Sequence, residues 1–314
     1  MKRVIPVLAL GLVLLVTAAV LLPAHAQAQE SGPTLVDRAA VCLAKHLVHH
    51  HMMAGEHEEL AALAKKASRA IIHVGVLGME MPGVELESDL TGKTVEHMAD
   101  GSTHVSLERG DFTGTVDGHA VNARLVGLEL TRGGGSFSLM VESGRLELEV
   151  DADTTFRKDA SGFSFSKMAD GSKKFTVEDV SATLVDGDST IQASATDVMA
   201  HRMADGSWTE TVGSASLSAQ APDKTVQATL TDVTVAVSAS YAFTVTVGTA
   251  DISASHDGAT KDVRLEGAVV SFDGWSFTVS IDKGKVKKVD ADGNVTEQDV
   301  EDHLAVFGKE ALKP

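Results

Sequence analysis

Cysteine is all but absent: Cys42 is the only one in 314 residues. No intrachain disulfide can form, so the fold must rest on its own core. Aromatic residues make up only 4 % of the chain, while Ala, Val, Ser, Thr and Gly abound. A core of small and β-branched side chains suits closely spaced strands. Proline is scarce too. Only Pro82 and Pro222 fall inside the region read below as sheet, so little forbids continuous strands there. Cationic side chains are in deficit: Lys and Arg number 27 against 44 acids, a net charge of −17 at pH 7. Such a surface repels phosphates, which argues against a nucleic-acid partner and against an anionic membrane surface. Catalytic signatures are missing as well. The chain has no His-Glu-x-x-His, no Gly-x-Ser-x-Gly and no phosphate-binding glycine loop. Ser164-Phe-Ser-Lys167 matches Ser-x-x-Lys, but residues three apart on a strand face opposite sides. The chain reads as non-enzymatic and without a cofactor.

One long apolar run is present, at the start. Lys2-Arg3 precedes Val4 to Leu22, and Ala24-His-Ala26 and Ala26-Gln-Ala28 follow. A positive start, an apolar stretch and a small-x-small site predict a signal peptide over 1–28. The run is also just long enough to span a bilayer, so an uncleaved anchor is the alternative. Either reading exports the rest of the chain, to a periplasmic or extracellular location.

What is abundant is repetition. Met98-Ala-Asp-Gly-Ser102, Met168-Ala-Asp-Gly-Ser172 and Met203-Ala-Asp-Gly-Ser207 are three copies of one pentapeptide, and Gly133-Gly-Gly-Ser136 fills most of the gap. Thr190–Val198 matches Thr225–Val233, 35 residues on, and Ala120–Leu128 is a weaker copy. A fixed period near 35 marks units that bury their apolar faces on their neighbours. Within the units the period is two. Val233, Val235, Val237, Tyr241, Phe243, Val245 and Val247 all fall on odd positions, and Ile191, Ala193 and Ala195 alternate likewise. The alternation slips near Asp232 and at Gly248, as at a corner or bulge. Asp117-Gly118, Asp186-Gly187 and Asp257-Gly258 are hairpin signals.

Two segments break the strand pattern. Residues 29–69 form a helical segment: Leu35, Ala39, Cys42, His46, His49 and Met53 recur at helical spacing, and Ala54-Gly55 marks a kink or division. At the other end Thr296 and Asp299 make a capping box before Val300, Leu304 and Leu312, predicting a short helix over 297–312. The expected fold is mostly β: an elongated, repeat-built sheet over about 70–290 within a β domain of 70–314, either an open β-jellyroll or a β-solenoid, with a helix at each end.

Two motifs invite ions. Cys42, His46, His49, His50, Met53 and His57 share one side of a helix, and soft sulfur with imidazole suits copper. The competing reading is a polar, structural helix, since no spacing matches a zinc pattern. Asp290-Ala-Asp-Gly-Asn-Val-Thr-Glu-Gln-Asp299 looks like a calcium loop with Asp290, Asp292, Thr296 and Asp299 as ligands. Lys288 would hold the first ligand position, however, and the competing reading is an Asp-Gly turn.

Val263-Arg-Leu-Glu-Gly-Ala-Val-Val270 followed by Trp275-Ser-Phe-Thr-Val-Ser-Ile281 resembles a strand pair of the OstA-like periplasmic proteins, the lipopolysaccharide-transport bridge proteins of the LptA and LptC type. The resemblance implies an open β-jellyroll with an apolar groove for acyl chains, joined edge to edge to other β proteins. The function expected is therefore binding or bridging of lipid or lipopolysaccharide in the cell envelope. The alternatives are a structural or adhesive envelope protein that offers its sheet edges to partners, and copper binding by the His/Met-rich helix.

Overall fold

The computed structural model of the protein describes residues 55–240 and 242–308. The chain divides into two compact units, which among the described residues run over 55–204 and 205–308.

The first unit opens with helix α1 (Gly55–Ala70) and a π-helical turn (Ile71–Val76). Strands β1 (Val84–Thr91), β2 (Thr94–His97), β3 (Thr103–Val116), β4 (His119–Gly133), β5 (Ser136–Glu149), β6 (Thr154–Lys167), β7 (Lys173–Asp186) and β8 (Ser189–Arg202) follow. The second unit holds β9 (Trp208–Ala221), β10 (Lys224–Val237), β11 (Phe243–His256), β12 (Ala259–Phe272), β13 (Ser276–Val289) and β14 (Val295–Gly308). In each unit, strands that follow one another in sequence pair antiparallel; β1 and β2 both lie along β3. Among the described residues the first and last strands of a unit do not pair, so the sheet is open and not a closed barrel. The mostly-β expectation holds as an open antiparallel sheet; the parallel coils of a solenoid are not present among the described residues.

The 35-residue period is a hairpin. Strands of 14 residues alternate with two-residue and five-residue connections, as from β7 through β10. The repeated pentapeptide is the five-residue loop. In two copies Met N–H donates to the Ser carbonyl at 2.9 Å. Asp100 Oδ1 accepts from the Ser102 N–H and hydroxyl at 2.9 and 2.6 Å, and Asp170 and Asp205 repeat this with Ser172 and Ser207. These Ser hydrogen bonds hold all three carboxyls below the usual aspartate value.

A second, stricter repeat lies inside the strands. Gly92, Gly127, Gly162, Asp197, Asp232, Gly267 and Asp302 recur every 35 residues, and all have left-handed φ, between 47° and 65°. Each sits mid-strand or, for Gly92, in the break between β1 and β2. Ladder pairing skips this position on both sides, yet the register beyond is unchanged, so no residue is inserted. The left-handed residue instead switches the buried parity. In β4 the buried residues are Val121 and Ala123 before Gly127, then Leu128 and Leu130 after it. In β10 they are Val226, Ala228 and Leu230 before Asp232, then Val233 and Val235. In the first unit both halves feed one core, with Val105, Leu107, Phe112, Val116, Val121, Ala123, Leu128 and Leu130 in a single cluster. The mid-strand residue is thus a corner, and the two half-strands turn their apolar sides to a shared interior.

The helix closes one part of that core. Leu63, Ala67, Ala70 and Ile71 recur at helical spacing and are buried in the same cluster. Burial of Leu63, Ile71 and Phe112 contributes about 1.5–3 kcal/mol each. Gly75 allows the close approach: a Cβ there would meet the Phe112 ring at 2.4 Å. Lys66 pairs with Asp117 at the β3–β4 turn.

Two expectations need correction. Sheet was expected from residue 70, but α1 reaches Ala70, the π-helical turn reaches Val76, and β1 starts at Val84. The apolar run Ile71-Ile-His-Val-Gly-Val76 imitates alternation while packing as helix. The predicted C-terminal helix over 297–312 is also wrong for its described part, because Val295–Gly308 is β14. Its acids face the lysines of β13: Glu297 lies across from Lys287, Asp299 from Lys285 and Glu301 from Lys283. That cross-strand complementarity and the backbone pairing outweigh a local capping signal.

Candidate functional site

Most of the His/Met helix face expected from sequence falls outside the described residues: Cys42, His46, His49, His50 and Met53. His57 falls in the first turns of α1. The calcium-loop reading does not hold. Asp290–Asn294 is another five-residue loop, closed by Asp290 N–H to the Asn294 carbonyl at 3.1 Å. The Asp290 carboxylate is consumed locally, accepting from Asn294 Nδ2, Asn294 N–H and Asp292 N–H at 2.8–3.0 Å. Those bonds, the Asn294 side chain first, hold its pKa below the usual range. Thr296 and Asp299 belong to β14 and cannot converge on the loop. Ser164 hydrogen-bonds Thr176 Oγ1 at 2.6 Å across the strands.

The inner face of the first unit supplies the best candidate. Its rows are set by register, and one runs Phe112, Ala123, Leu146, Lys158, Ala182, Ala193. A lysine therefore stands in a row of apolar side chains. Burial among them pushes the Lys158 amine below the ordinary lysine pKa, although the residue as a whole remains exposed. We read this as a side chain at the mouth of the interior rather than in a closed cavity. The core also loosens there. Phe112, Leu128 and Leu148 are at most 1 % exposed. In β6 no residue is fully buried, and Phe156, Phe163 and Phe165 are half-buried, as are Phe175 and Leu184 of β7. Phe163 meets Phe175 edge-on at 5.4 Å, and Phe137 lies 6.0 Å from Phe165. Apolar walls with one cation at the rim can take an apolar chain that carries an anionic head.

The inner face of the second unit holds one ionisable oddity. Glu210 of β9 lies opposite Val235 and is 2 % exposed. Its Oε2 has no hydrogen-bond partner among the described residues, and burial pushes the carboxyl up to about 7. At the end of that unit His256 stands between Asp257 at 3.0 Å and Asp223 at 3.7 Å. All three are well exposed, an ordinary solvated charge group.

The outer face of the first unit carries a charged groove of about 600 Å³. Arg124 and Arg145 lie directly opposite each other on β4 and β5, flanked by Asp111 on β3 and Asp159 on β6. Arg124 and Arg109 donate to Asp111 at 2.6 and 2.8 Å, and Arg145 and Arg157 to Asp159 at 2.7 Å. Bonds from Arg124 and Arg109 lower the Asp111 pKa. Burial raises that of Asp159, but its two arginines outweigh burial and leave it lowered.

Neither Lys158 nor this groove was singled out from the sequence. Lys158 sits in the run Arg157-Lys-Asp159 and looks like part of a solvated face. Only the register shows which of the three points inward. The two stretches that carried the OstA-like resemblance do lie on neighbouring antiparallel strands, β12 and β13, with Val270 opposite Val279. Trp275 sits in the turn between them and is 79 % exposed.

No protein-family model matches this chain, and no curated protein does. Among solved structures, the TCP10 domain of Danio rerio CPAP, in complex with a peptide of Danio rerio STIL, is similar at 13 % identity. The likeness covers 67 % of this chain and 99 % of that one with a TM-score of 0.11, too low to bear on fold or function.

Proposed function

We propose that this chain is an exported, non-enzymatic β protein that binds or bridges a lipid-like amphiphile, of the lipid or lipopolysaccharide kind, through the inner face of its first unit. One observation carries the reading: Lys158 interrupts an apolar row between Leu146 and Ala182, where the surrounding Phe side chains are only half-buried. An amine placed among apolar groups costs stability unless something is gained. An anionic head on Lys158, with its chain along Phe156 and Phe163, supplies that gain. Export rests on the N-terminal charge, apolar run and small-residue sites. The test is titration of the purified protein with oleate, followed by tryptophan-independent calorimetry. Saturable binding that weakens at least tenfold in Lys158→Glu supports the reading, and equal binding by both proteins overturns it.

A second reading, a scaffold that adds partner strands at its edge, draws on β14. Among the described residues β14 pairs on one side only, and Leu304 and Val306 are 65 % and 63 % exposed. A long edge strand with exposed apolar side chains is a template for strand addition.

A further inference from the structure

We propose that the outer face of the first unit binds an oxyanion group, a phosphate ester or similar, between Arg124 and Arg145. Residues of this row alternate along the chain with Phe112, Ala123, Leu146 and Lys158, so the two sites lie on opposite faces and are independent.

Four features argue for it. First, two guanidinium groups directly across a ladder repel, with Cβ atoms about 5 Å apart, and such pairs cost stability unless neutralised. The flanking Asp111 and Asp159 hold them, but only from the outside of the pair. Second, that hold uses Nε of each arginine, which leaves the terminal nitrogens of Arg124 and Arg145 without a protein partner among the described residues. Both oxygens of each aspartate are already taken, Asp111 by Arg109 and Arg124, Asp159 by Arg145 and Arg157. Each aspartate is thus shared between two arginines, and the two planar forks of Arg124 and Arg145 remain to be satisfied. Third, Arg124 and Arg145 put two positive charges side by side in a chain of net charge −17, while the acids of the groove, Asp111, Glu147, Asp159 and Asp179, stand around that pair rather than between its members. Fourth, the row lines a real concavity, whose lining on this face includes small residues such as Ser143, Ser161 and Ser181. Small side chains let a ligand approach the sheet, and their hydroxyls offer donors. Asp179 stands on the far wall, where the Ser161 hydroxyl donates to it at 3.3 Å, and it confines the anion to the arginine end.

The same chemistry is available from a free phosphorylated molecule or from a lipid headgroup. Inorganic phosphate, glucose 6-phosphate and vesicles containing phosphatidic acid, against phosphatidylcholine vesicles, separate the sources. The full-length protein should show saturable binding of phosphate in calorimetry in chloride buffer. Arg124→Gln and Arg145→Gln should each weaken it at least tenfold. Arg69→Gln, in the last turn of α1 and outside the groove, should change it less than twofold. If either Gln variant fails to fold by circular dichroism, Arg145→Lys keeps the charge and loses the fork, and should weaken binding several-fold. Binding of soluble phosphates alone assigns a free ligand; binding of phosphatidic acid vesicles alone assigns a headgroup. The proposal is overturned if the wild-type protein binds none of these probes, or if Arg124→Gln and Arg145→Gln bind as the wild type does.

Discussion

Gly127 lies directly across the sheet from Glu142, and a Cβ on the glycine would meet the Glu142 Cβ at 2.7 Å. The same relationship joins Gly162 to Glu178 and Gly267 to Asp282. An acid folded over a glycine is thus the recurring device at the corner of the strands. Two constraints meet at Gly127: a left-handed φ of 62° and no room for a side chain.

Substitution at that corner should be costly. Gly127→Ala is expected to lower unfolding free energy by about 2 kcal/mol, from left-handed strain and crowding together. Gly127→Ala with Glu142→Ala should recover part of the loss, because it removes the crowding and leaves the strain. Urea denaturation of the four proteins in this cycle measures both parts. Asp at the same repeat position should be milder on the backbone term, since Asp197, Asp232 and Asp302 already adopt it.

Glu210 makes stability fall as pH rises. Its folded pKa is about 7, above the ordinary 4.5. Below pH 4.5 the carboxyl is protonated in both states and its burial carries no charge penalty. Between 4.5 and 7 the unfolded chain ionises first, so unfolding gains. The loss is complete above pH 7 and amounts to at most about 3 kcal/mol. Glu210→Gln should therefore raise the urea midpoint at pH 8, change it little at pH 4.5, and flatten the slope between. A slope unchanged by the substitution contradicts this. The loop aspartates act in the opposite sense. Asp100, Asp170 and Asp205 are held below 3.8, so their contribution is present above that value and is lost as pH falls beneath it.

The Asp290 loop should ignore calcium. Its carboxylate already serves three donors, so millimolar calcium is expected to leave the melting temperature unchanged. Asp290→Ala should lower that temperature with and without calcium alike. A calcium-dependent rise in the wild type alone would revive the ion-site reading.

The edge strand offers a further check. Leu304→Lys with Val306→Lys should reduce concentration-dependent association in analytical ultracentrifugation while leaving the β spectrum intact. If association is absent in the wild type, or unaffected, β14 is not a docking edge.

Much of this fold is legible in the sequence. The pentapeptides announced the hairpin period, and the parity slips at Asp232 and Gly248 are the corner seen from the sequence. What was missed has a common cause. The seven corner residues are Gly or Asp, types that also signal turns, so their period does not stand out from the turn residues between them. β14 carries strong helix-start residues, and only pairing with the β13 lysines decides against them. Arg124 and Arg145 lie 21 residues apart in sequence and become neighbours through the turn at Gly134-Gly135. Which face Lys158 occupies depends on counting residues back to a corner, at Gly162, that breaks the alternation. Sites built by register across several turns are the part of this molecule that local pattern does not show.

The most direct test of the inner-face account is native mass spectrometry of the gently purified protein, with wild type, Lys158→Glu and Phe163→Asp prepared alike. The account predicts a lipid-sized adduct on the wild type, depleted in both variants, and replaced by oleate when that is supplied. A wild-type protein that carries no adduct and takes up no oleate, or variants that retain the adduct in full, would contradict it.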